Sequence, residues 1–276
     1  MDLKDISRGY DFTGRTAAIT GGAGLIGGEI ARALGSCGAN VAILDRDPER
    51  ADRLIDMLGC DPNCSAIVFA DVLKRDTLVR AEAVIRERLG PVDILINAAG
   101  GNAARATTRP EQSLFDLDEA AIRETIELNT MGTIEPCRVF GKGMAERGEG
   151  VILNISSMTA LRPLSRVVAY SAAKAAISNF TQWLAVHMAQ EYSPQIRVNA
   201  IAPGFLIGKQ NRDLLLNPDG SLTPRGQTII DQTPLGRFGE PEELLGAVLW
   251  LLSPLSGFVT GAVVPLDGGF SAYSGV

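Results

Sequence analysis

Short apolar runs rich in β-branched residues alternate along the chain with amphipathic stretches of helical spacing. The apolar runs predict seven β-strands, namely Thr16–Thr20, Asn40–Asp45, Ala66–Ala70, Asp93–Asn97, Gly150–Ser156, Arg197–Ile201 and Val259–Leu266. Residues 77–89 place apolar side chains on one helix face, at Leu78, Ala81, Val84, Ile85 and Leu89. Alternating strands and helices form βαβ units. The pattern therefore predicts an α/β fold of the Rossmann type, with a doubly wound, mostly parallel sheet of seven strands between two helix layers.

Two segments stand apart from this alternation. We expect a single domain over residues 1–276, in which 205–233 form a long insertion around the turn Asn217–Gly220. Insertions of that length commonly serve as lids over a binding site. The uncharged stretch Leu244–Leu266 is long enough for a membrane span, but Ser253-Pro254 and Pro265 interrupt it. It predicts a buried helix, a turn and a strand.

Composition narrows the possible partners. A net charge of −6 and a pI near 5.0 disfavour binding to nucleic acid or to an anionic membrane. The opening residues MDLKDISRGYDF lack the apolar core of a signal peptide. Four cysteines, at positions 37, 60, 64 and 137, and the lone histidine have no metal-ligand spacing. We therefore expect no metal, and reduced thiols in a cytoplasmic protein.

A glycine-rich turn joins the first predicted strand to the helix that follows. Gly22, Gly24 and Gly27 fit the G-x-G-x-x-G spacing, which lets backbone N–H groups approach a pyrophosphate. A plain glycine turn would show the same spacing, but the second strand ends in Asp45, where a carboxylate binds an adenosine ribose. That carboxylate would repel a 2′-phosphate and thus favours NAD over NADP. The neighbouring Arg46 argues the other way.

A tyrosine and a lysine carry the predicted chemistry. Tyr170 and Lys174 are four residues apart in a helix-forming segment and therefore share one helix face. An ammonium near a phenol stabilises the phenolate and lowers its pKa. Ser157, at the end of the preceding strand, supplies a hydroxyl for a substrate oxygen. No Ser/His/Asp hydrolase fits, because His187 lies within a helix with no acid nearby, where we expect a packing role.

The chain resembles the short-chain dehydrogenases/reductases of the single-domain kind. The motifs that carry the resemblance are TGGAGLIG at Thr20–Gly27, Asp71-Val72, NAAG at Asn97–Gly100, Asn129 in ELNTMG, NISS at Asn154–Ser157, YSAAK at Tyr170–Lys174, Pro203-Gly204 and PLDGG at Pro265–Gly269. They occur in the family's order over nearly the whole chain.

The resemblance implies roles for individual residues. Tyr170 would be the acid/base, and Ser157 would hold and polarise the reacting oxygen. Lys174 would bind the nicotinamide ribose and lower the pKa of the tyrosine, and Asn129 would anchor a water that relays protons to it. The implied cofactor contacts are Gly21, Gly22, Gly24, Leu25, Ile26 and Gly27 at the pyrophosphate, Asp45 and Arg46 at the adenosine ribose, Asp71 and Val72 at the adenine, Asn97, Ala98, Ala99 and Gly100 behind the nicotinamide ribose, Tyr170 and Lys174 beside it, and Pro203 and Gly204 at the nicotinamide amide.

Three positions depart from the family's pattern. Leu25 stands where the phosphate loop usually has its second glycine, and Ala98 replaces the second Asn of N-N-A-G. We expect both to be tolerated. Gly208 stands where many relatives have a threonine, and we expect its missing hydroxyl contact to loosen the lid.

A narrower resemblance concerns the substrate. Segments such as INAAGGN, SNFTQWLAVHMA and TPLGRFGEPEELLG are similar to the D-mannonate oxidoreductases (fructuronate reductases), close to the gluconate 5-dehydrogenases, which interconvert a keto sugar acid and its hydroxy acid. Binding such a substrate requires a cation and several polar groups. The candidates are Asn102, Ser157, Met158, Arg162, Lys209, Gln210, Asn211 and Arg212. Reduction of a polyol's ketone or a β-ketoacyl thioester, and NAD sensing without turnover, remain as alternatives.

The segment Tyr170–Tyr192 is apolar nearly all round, which predicts burial by its own fold or by a partner. Relatives pair this helix across a two-fold axis, so we expect a homodimer or a homotetramer.

Overall fold

The computed structural model describes residues 3–47, 64–208 and 211–275. Cys60, Lys209 and Gln210, named above, lie outside these ranges. The strands are β1 Thr16–Thr20, β2 Asn40–Asp45, β3 Ser65–Phe69, β4 Val92–Asn97, β5 Gly150–Ile155, β6 Ile196–Pro203 and β7 Val263–Leu266. In the described residues they form one sheet of order β3-β2-β1-β4-β5-β6-β7, in which all neighbours are parallel. The predicted sheet is thus confirmed, and it is fully rather than mostly parallel.

Helices connect and cover the strands. They are α1 Leu3–Arg8, α2 Leu25–Ser36, α3 Arg75–Leu89, α4 Glu119–Arg147, α5 Val168–Glu191, α6 Arg212–Leu215, α7 Pro224–Asp231 and α8 Leu245–Leu252. Short 3₁₀ helices lie at Ala104–Ala106, Leu114–Asp116, Met158–Ala160, Pro241–Leu244 and Pro254–Ser256.

Alternate residues of the strands enter two separate cores, which produces three layers. On one face, Ile19 and Ile43 pack with side chains of α2 and α8, and on the other, Leu95 and Ile152 pack with α3, α4 and α5. This is the burial of both faces that a parallel sheet requires. In α3 the predicted apolar face is buried, except that Val84 is exposed.

The last predicted strand is shorter than its apolar run. Gly261 has φ +75°, outside the β region, and its N–H donates to the carbonyl of Val198. The regular backbone pairing with β6 is interrupted here, because the N–H of Val198 donates to the hydroxyl of Thr260 and not to a backbone carbonyl. The regular strand therefore begins at Val263 rather than at residue 259.

The two segments that stand apart from the alternation have the following structure. Residues 205–233 contain α6 and α7, which share a small core of Leu215, Ile229 and Phe238, and a turn closed by the Gly220 N–H bonding to the Asn217 carbonyl. Residues 244–266 form α8, a turn and β7, as predicted. In the described part of the chain, no helix is both long and apolar enough to cross a membrane.

The cysteines and the histidine have structural surroundings. Cys137 is buried, and Cys37 and Cys64 are partly exposed, all as free thiols. His187 stacks on Trp183 with ring centroids 4.8 Å apart, which is the packing role predicted for it. Within the described ranges, His, Cys, Asp and Glu side chains do not gather in any group of three suited to a metal ion.

Candidate active site

The motif-bearing loops meet along one edge of the sheet. Because the strands are parallel, their carboxyl ends lie at the same edge, where α/β folds bind ligands. The register pairs Thr20 with Asn97, and Asn97 with Asn154. Segments that are far apart in the chain, from the glycine-rich turn to the strand end before Ser157, thereby become neighbours.

Close backbone packing explains two glycines of the turn after β1. Gly21 has φ +60°, and a β-carbon on it would stand 2.7 Å from the Cα of Ala99. A β-carbon on Gly27 would stand 2.6 Å from the carbonyl oxygen of Gly21. Neither position has room for a side chain, so the turn lies directly against the loop that follows β4.

The helix that follows this turn offers an anion site. Gly24 precedes the first residue of α2, Leu25, and provides no side-chain cap for the helix. The first N–H groups of a helix have no partner within it, and the helix dipole favours negative charge at this end. Together with the glycine cradle, this end of α2 fits the pyrophosphate of a dinucleotide.

Asp45 ends β2 beside the same turn. Its carboxylate accepts hydrogen bonds from the backbone N–H groups of Ala23, at 3.3 Å, and Asp47, at 3.1 Å. The half-buried carboxylate is thus held in place near the anion site, where an adenosine ribose would be attached to the pyrophosphate. Arg46 is exposed.

The two predicted adenine contacts, Asp71 and Val72, differ in how exposed their side chains are. Asp71 is half-buried, and its carboxylate accepts from the N–H of Leu73 at 3.1 Å. Val72 is buried and packs against Gly132 of α4. A β-carbon on Gly132 would stand 2.9 Å from the Cγ2 atom of Val72. Val72 therefore shapes the floor of this region from within the core.

The side chain of Asn97 points away from the cofactor edge. It is 1% exposed, and its Nδ2 donates to Asn154 Oδ1 at 2.9 Å and to Cys137 Sγ at 3.2 Å. Asn154 in turn donates to Thr181 on α5. The side chain thus ties β4, β5, α4 and α5 together, and any contact of Asn97 with a cofactor is left to its backbone. Ala98, Ala99 and Gly100 lie on the open side of the loop.

Three predicted catalytic side chains come together between β5 and α5. Ser157 caps the 3₁₀ helix Met158–Ala160, and its hydroxyl lies near enough to Tyr170 to influence the pKa of the phenol. Lys174 lies one turn further along α5, with its Nζ 5.5 Å from the centroid of the Tyr170 ring. The same Nζ donates to the carbonyl of Ile155 at 2.7 Å, which fixes the ammonium next to the tyrosine.

Burial shifts the pKa of both ionisable groups. It lowers the pKa of Lys174 to about 8. It raises the pKa of Tyr170, and the Ser157 side chain opposes that rise only in part. The direction for Tyr170 is the reverse of the one expected from the sequence, because loss of water around the phenol is the larger of the two effects.

Asn129 joins the catalytic group through the loop after β4. It is fully buried on α4, and its Nδ2 donates to the carbonyls of Gly101, at 2.7 Å, and Thr125, at 2.8 Å. Its Oδ1 accepts from the N–H of Gly101. A β-carbon on Gly100 would stand 2.7 Å from this oxygen and 3.5 Å from Lys174 Nζ. Asn129 and Lys174 thus flank one point, and the predicted water relay between them stays a prediction.

The turn after β6 packs against the chain's closing motif. The N–H of Gly204, next to Pro203, donates to the carbonyl of Leu266, and a β-carbon on Gly204 would stand 2.6 Å from the Cα of Asp267. The Asp267 carboxylate accepts from the N–H groups of Gly269 and Ser271, at 2.9 Å each. PLDGG therefore acts as the support behind the predicted nicotinamide contact.

The predicted substrate contacts that the structure describes, which exclude positions 209 and 210, do not gather into one cluster. Asn102 is exposed and donates to Thr107, and Met158 is buried in the core. Both ends of the Asn211 amide are bonded to backbone, to the N–H of Gly208 and the carbonyl of Leu206 at 2.8 Å each. Arg162 and Arg212 are exposed on separate segments.

Two cavities adjoin the site. One, of about 280 Å³, lies behind Gly204 and Asp267, and Ser157, Tyr170 and Lys174 do not line it. The other, of about 540 Å³, is bounded by the segment between Ser157 and Tyr170 and by the start of α5, including Thr159, Arg166 and Ser171, and the three catalytic side chains do not line it either. Arg166, which the sequence analysis did not single out, has a left-handed backbone with φ 78°.

Comparison with known proteins places this site in a family. A family model described as enoyl-(acyl carrier protein) reductase matches residues 21–271. An uncharacterized oxidoreductase of Bacillus subtilis, UxuB, is 47% identical over 96% of this chain and 98% of its own length. A galactitol 2-dehydrogenase (L-tagatose-forming) of Cereibacter sphaeroides is 34% identical over 99% of this chain and 100% of its own.

Solved structures agree with these matches. A Haemophilus influenzae protein, described provisionally as a D-mannonate oxidoreductase and solved with NAD, is 42% identical and has a TM-score of 0.90 over 98% of this chain and 100% of that one. A gluconate 5-dehydrogenase of Burkholderia cenocepacia, solved with NADP and tartrate, is 28% identical with a TM-score of 0.82 over 96% of this chain and 98% of that one. The chain belongs to the short-chain dehydrogenase/reductase family.

Proposed function

We propose that this protein interconverts a keto sugar acid and its hydroxy acid, of the D-fructuronate/D-mannonate type, with NAD(H). The coarser activity follows from the family: the chain is an oxidoreductase that acts on alcohol groups with a nicotinamide dinucleotide. The observation that carries the proposed chemistry is the position of the Lys174 ammonium, which the carbonyl of Ile155 holds 5.5 Å from the centroid of the Tyr170 ring.

Each of the three side chains has a distinct task. When bound, the nicotinamide supplies hydride in reduction and accepts it in oxidation. Tyr170 gives its proton to the alkoxide that develops in reduction and takes it back in oxidation. Its raised pKa keeps the phenol protonated at neutral pH, which suits the reductive direction. Ser157 holds the reacting oxygen and stabilises it most as charge builds.

Lys174 and Asn129 position the tyrosine and complete the site. The Nζ of Lys174 is held by the carbonyl of Ile155, so the ammonium stays close to the phenol ring. Asn129 fixes the loop at Gly101 by donating and accepting hydrogen bonds there. We propose that the free lone pair of its Oδ1 anchors the water through which Lys174 exchanges protons with solvent.

For the cofactor, the anchored carboxylate of Asp45 supports NAD over NADP. A 2′-phosphate would bring its negative charge against this carboxylate, whose position is set by Ala23 and Asp47. The Haemophilus influenzae relative was solved with NAD, and the more distant Burkholderia cenocepacia relative with NADP.

The sugar-acid substrate is supported by the same two relatives, whose descriptions name D-mannonate and gluconate. The galactitol 2-dehydrogenase favours a second candidate, a neutral polyol. Both candidates use the same catalytic group and differ in whether the substrate carries a carboxylate.

A substrate panel tests the proposal. The purified protein is incubated with NAD⁺ and either hexonates (D-mannonate, D-gluconate), neutral polyols (galactitol) or a β-hydroxyacyl thioester, and reduced nicotinamide is followed by its absorbance. We expect the highest kcat/KM with a hexonate. A preference for galactitol would support the polyol candidate, and NAD binding without turnover on any substrate would indicate a sensing role.

A further inference from the structure

Ser156 stands between two residues of the candidate active site, Ile155, whose carbonyl accepts from the Lys174 ammonium, and Ser157. It is 1% exposed, and its backbone N–H donates to the carbonyl of Ile201 at 2.8 Å. This hydrogen bond continues the pairing of β5 with β6 by one residue beyond the end of β5. The backbone of Ser156 is therefore held by the sheet.

The side chain of Ser156 reaches across to helix α5. Its hydroxyl donates to the backbone carbonyl of Lys174 at 3.2 Å and lies 2.7 Å from the hydroxyl of Ser178. A serine hydroxyl has one proton to donate and can also accept. Because a carbonyl only accepts, the proton of Ser156 is directed to Lys174, and the second bond forms with the hydroxyl of Ser178 as its donor.

The end of β5 thus holds Lys174 at two points. The carbonyl of Ile155 accepts from its Nζ at 2.7 Å, and the hydroxyl of Ser156 donates to its backbone carbonyl. In an α-helix the same carbonyl also accepts from the N–H four residues further on, so the contact attaches this whole turn of α5 to the strand end. Tyr170 lies one turn earlier in the same helix. The contact therefore fixes where the tyrosine and the lysine stand relative to the sheet.

Another polar contact joins the same two elements. Asn154 of β5 donates to the hydroxyl of Thr181 on α5 at 2.9 Å. Thr181 lies further along the helix than Ser178 and donates to a carbonyl of its own helix, that of Ile177. Of these two contacts, the one through Ser156 reaches the turn that carries the catalytic lysine.

We propose that Ser156 and Ser178 are positioning residues for the reaction, whose paired hydroxyls set the placement of Lys174 and Tyr170 against Ser157 without touching the substrate. This inference rests on the catalytic group of the proposed function and does not depend on the sugar-acid substrate, because the acid and polyol candidates use the same group. A displacement on the order of 1 Å at a reacting group can cost about 100-fold in rate. Two neutral hydrogen bonds at a distance from the substrate therefore suffice to affect turnover.

The test compares Ser156→Ala with Ser256→Ala. Ser256 is also 1% exposed and bonded to backbone carbonyls, but it contacts Arg197 near the start of β6, at the opposite edge of the sheet. We expect the single-turnover rate of NAD⁺ reduction by the best substrate of the panel to fall about 10- to 100-fold in Ser156→Ala. Its KM for that substrate and its dissociation constant for NAD⁺ should stay near wild type, because no contact to either ligand is removed. Ser256→Ala should keep the wild-type rate.

Ser178→Ala tests whether the two serines act together. Alanine is the best helix former, so this variant stays folded even if Ser156→Ala does not. Its rate should fall about 2- to 10-fold, the size of one neutral hydrogen bond, because Ser156 keeps its bond to Lys174. The variant with both substitutions should be no slower than Ser156→Ala, since Ser178 acts only through Ser156.

The possible results separate this inference from the proposed function. Wild-type rates in both alanine variants of the pair, or an equal loss of rate in Ser256→Ala, overturn the positioning role. If the wild type turns over galactitol but no hexonate, the sugar-acid function fails, and the same loss of rate on galactitol supports the positioning role. If the wild type turns over no substrate of the panel, the proposed function and this inference fail together.

Discussion

The side chain of Leu25 lies against Gly208. A β-carbon on Gly208 would stand 3.0 Å from Leu25 Cδ2, at the point where the start of α2 meets the lid segment. Both positions depart from the family's pattern, one by gaining a side chain and the other by losing one. The two departures are therefore complementary in volume and form a contact between the phosphate loop and the segment after β6.

This contact predicts a non-additive pair of substitutions. Gly208→Thr should weaken NAD⁺ binding about 5- to 100-fold, because overpacking a close contact costs about 1–3 kcal/mol. Leu25→Ala combined with Gly208→Thr should recover most of the loss, since the methyl groups that clash are then absent. The quenching of protein fluorescence by NAD⁺ gives the four dissociation constants. If the effects of the single substitutions simply add, the two residues do not act as a pair.

Tyr170→Phe removes the acid/base hydroxyl and leaves the ring in place. We expect kcat to fall about 10²- to 10⁴-fold, the usual contribution of a positioned proton donor. NAD⁺ affinity should persist, because the predicted dinucleotide contacts lie mainly on the loops after β1 and β2. Tyr192→Phe, at the exposed end of α5, is the matched control. Near-wild-type turnover by Tyr170→Phe would refute the assignment.

The buried Lys174 predicts a pH dependence of stability. Its folded pKa is about 8 and its ordinary value 10.5, so between these values the unfolded chain binds more protons than the folded one. Its contribution to the unfolding free energy is therefore full above pH 10.5 and lost as pH falls through about 8.

Two other groups also make the stability depend on pH. Burial raises the pKa of Cys137 to about 12 and also raises that of Tyr170, so both groups lower the unfolding free energy as the pH rises. Both groups are present in Lys174→Met, so comparison with this variant isolates the contribution of Lys174. Chemical unfolding at pH 7 and pH 10 should show that the wild type gains stability relative to the variant. A difference that does not change with pH would contradict the lowered pKa.

Asp45→Ala should relax the choice of cofactor. We expect the ratio of kcat/KM for NAD⁺ to that for NADP⁺ to fall at least about tenfold, because like charges brought together cost several kcal/mol. Asp76→Asn, an exposed position on α3, should leave the ratio unchanged. A wild-type protein that already prefers NADP⁺ would mean that Arg46 outweighs the carboxylate.

Helix α5 leaves an apolar face open on the protomer. Trp183 and Val186 are each 57% exposed, although the helix pattern predicts burial on nearly every side. We predict that a second copy covers this face in a homodimer or homotetramer. Light scattering should then give a multiple of 29.3 kDa that decreases in Trp183→Glu. A wild-type monomer at micromolar concentration would contradict the prediction, and Val84→Glu on α3 serves as the control.

Much of the fold follows from local pattern. The strand at Thr16–Thr20 and the one at Asn40–Asp45 begin and end where the sequence pattern predicts, because both faces of a parallel sheet are buried and the residues between the strand ends must be apolar or small. The sequence also predicts the glycines of the phosphate turn and the Tyr170/Lys174 pair, since each depends on residue spacing within one turn or one helix.

Tertiary structure decided what depends on neighbours far away in the chain. The sequence alone assigns Asn97 to the cofactor edge, but burial between β4 and α4 directs its amide to Asn154 and Cys137. The Tyr170/Lys174 spacing likewise predicts a lowered pKa for Tyr170, whereas loss of solvent around the phenol in the folded protein raises that pKa. The contact of Leu25 with Gly208 joins positions far apart in the chain, and it arises only when the segment after β6 packs against the start of α2.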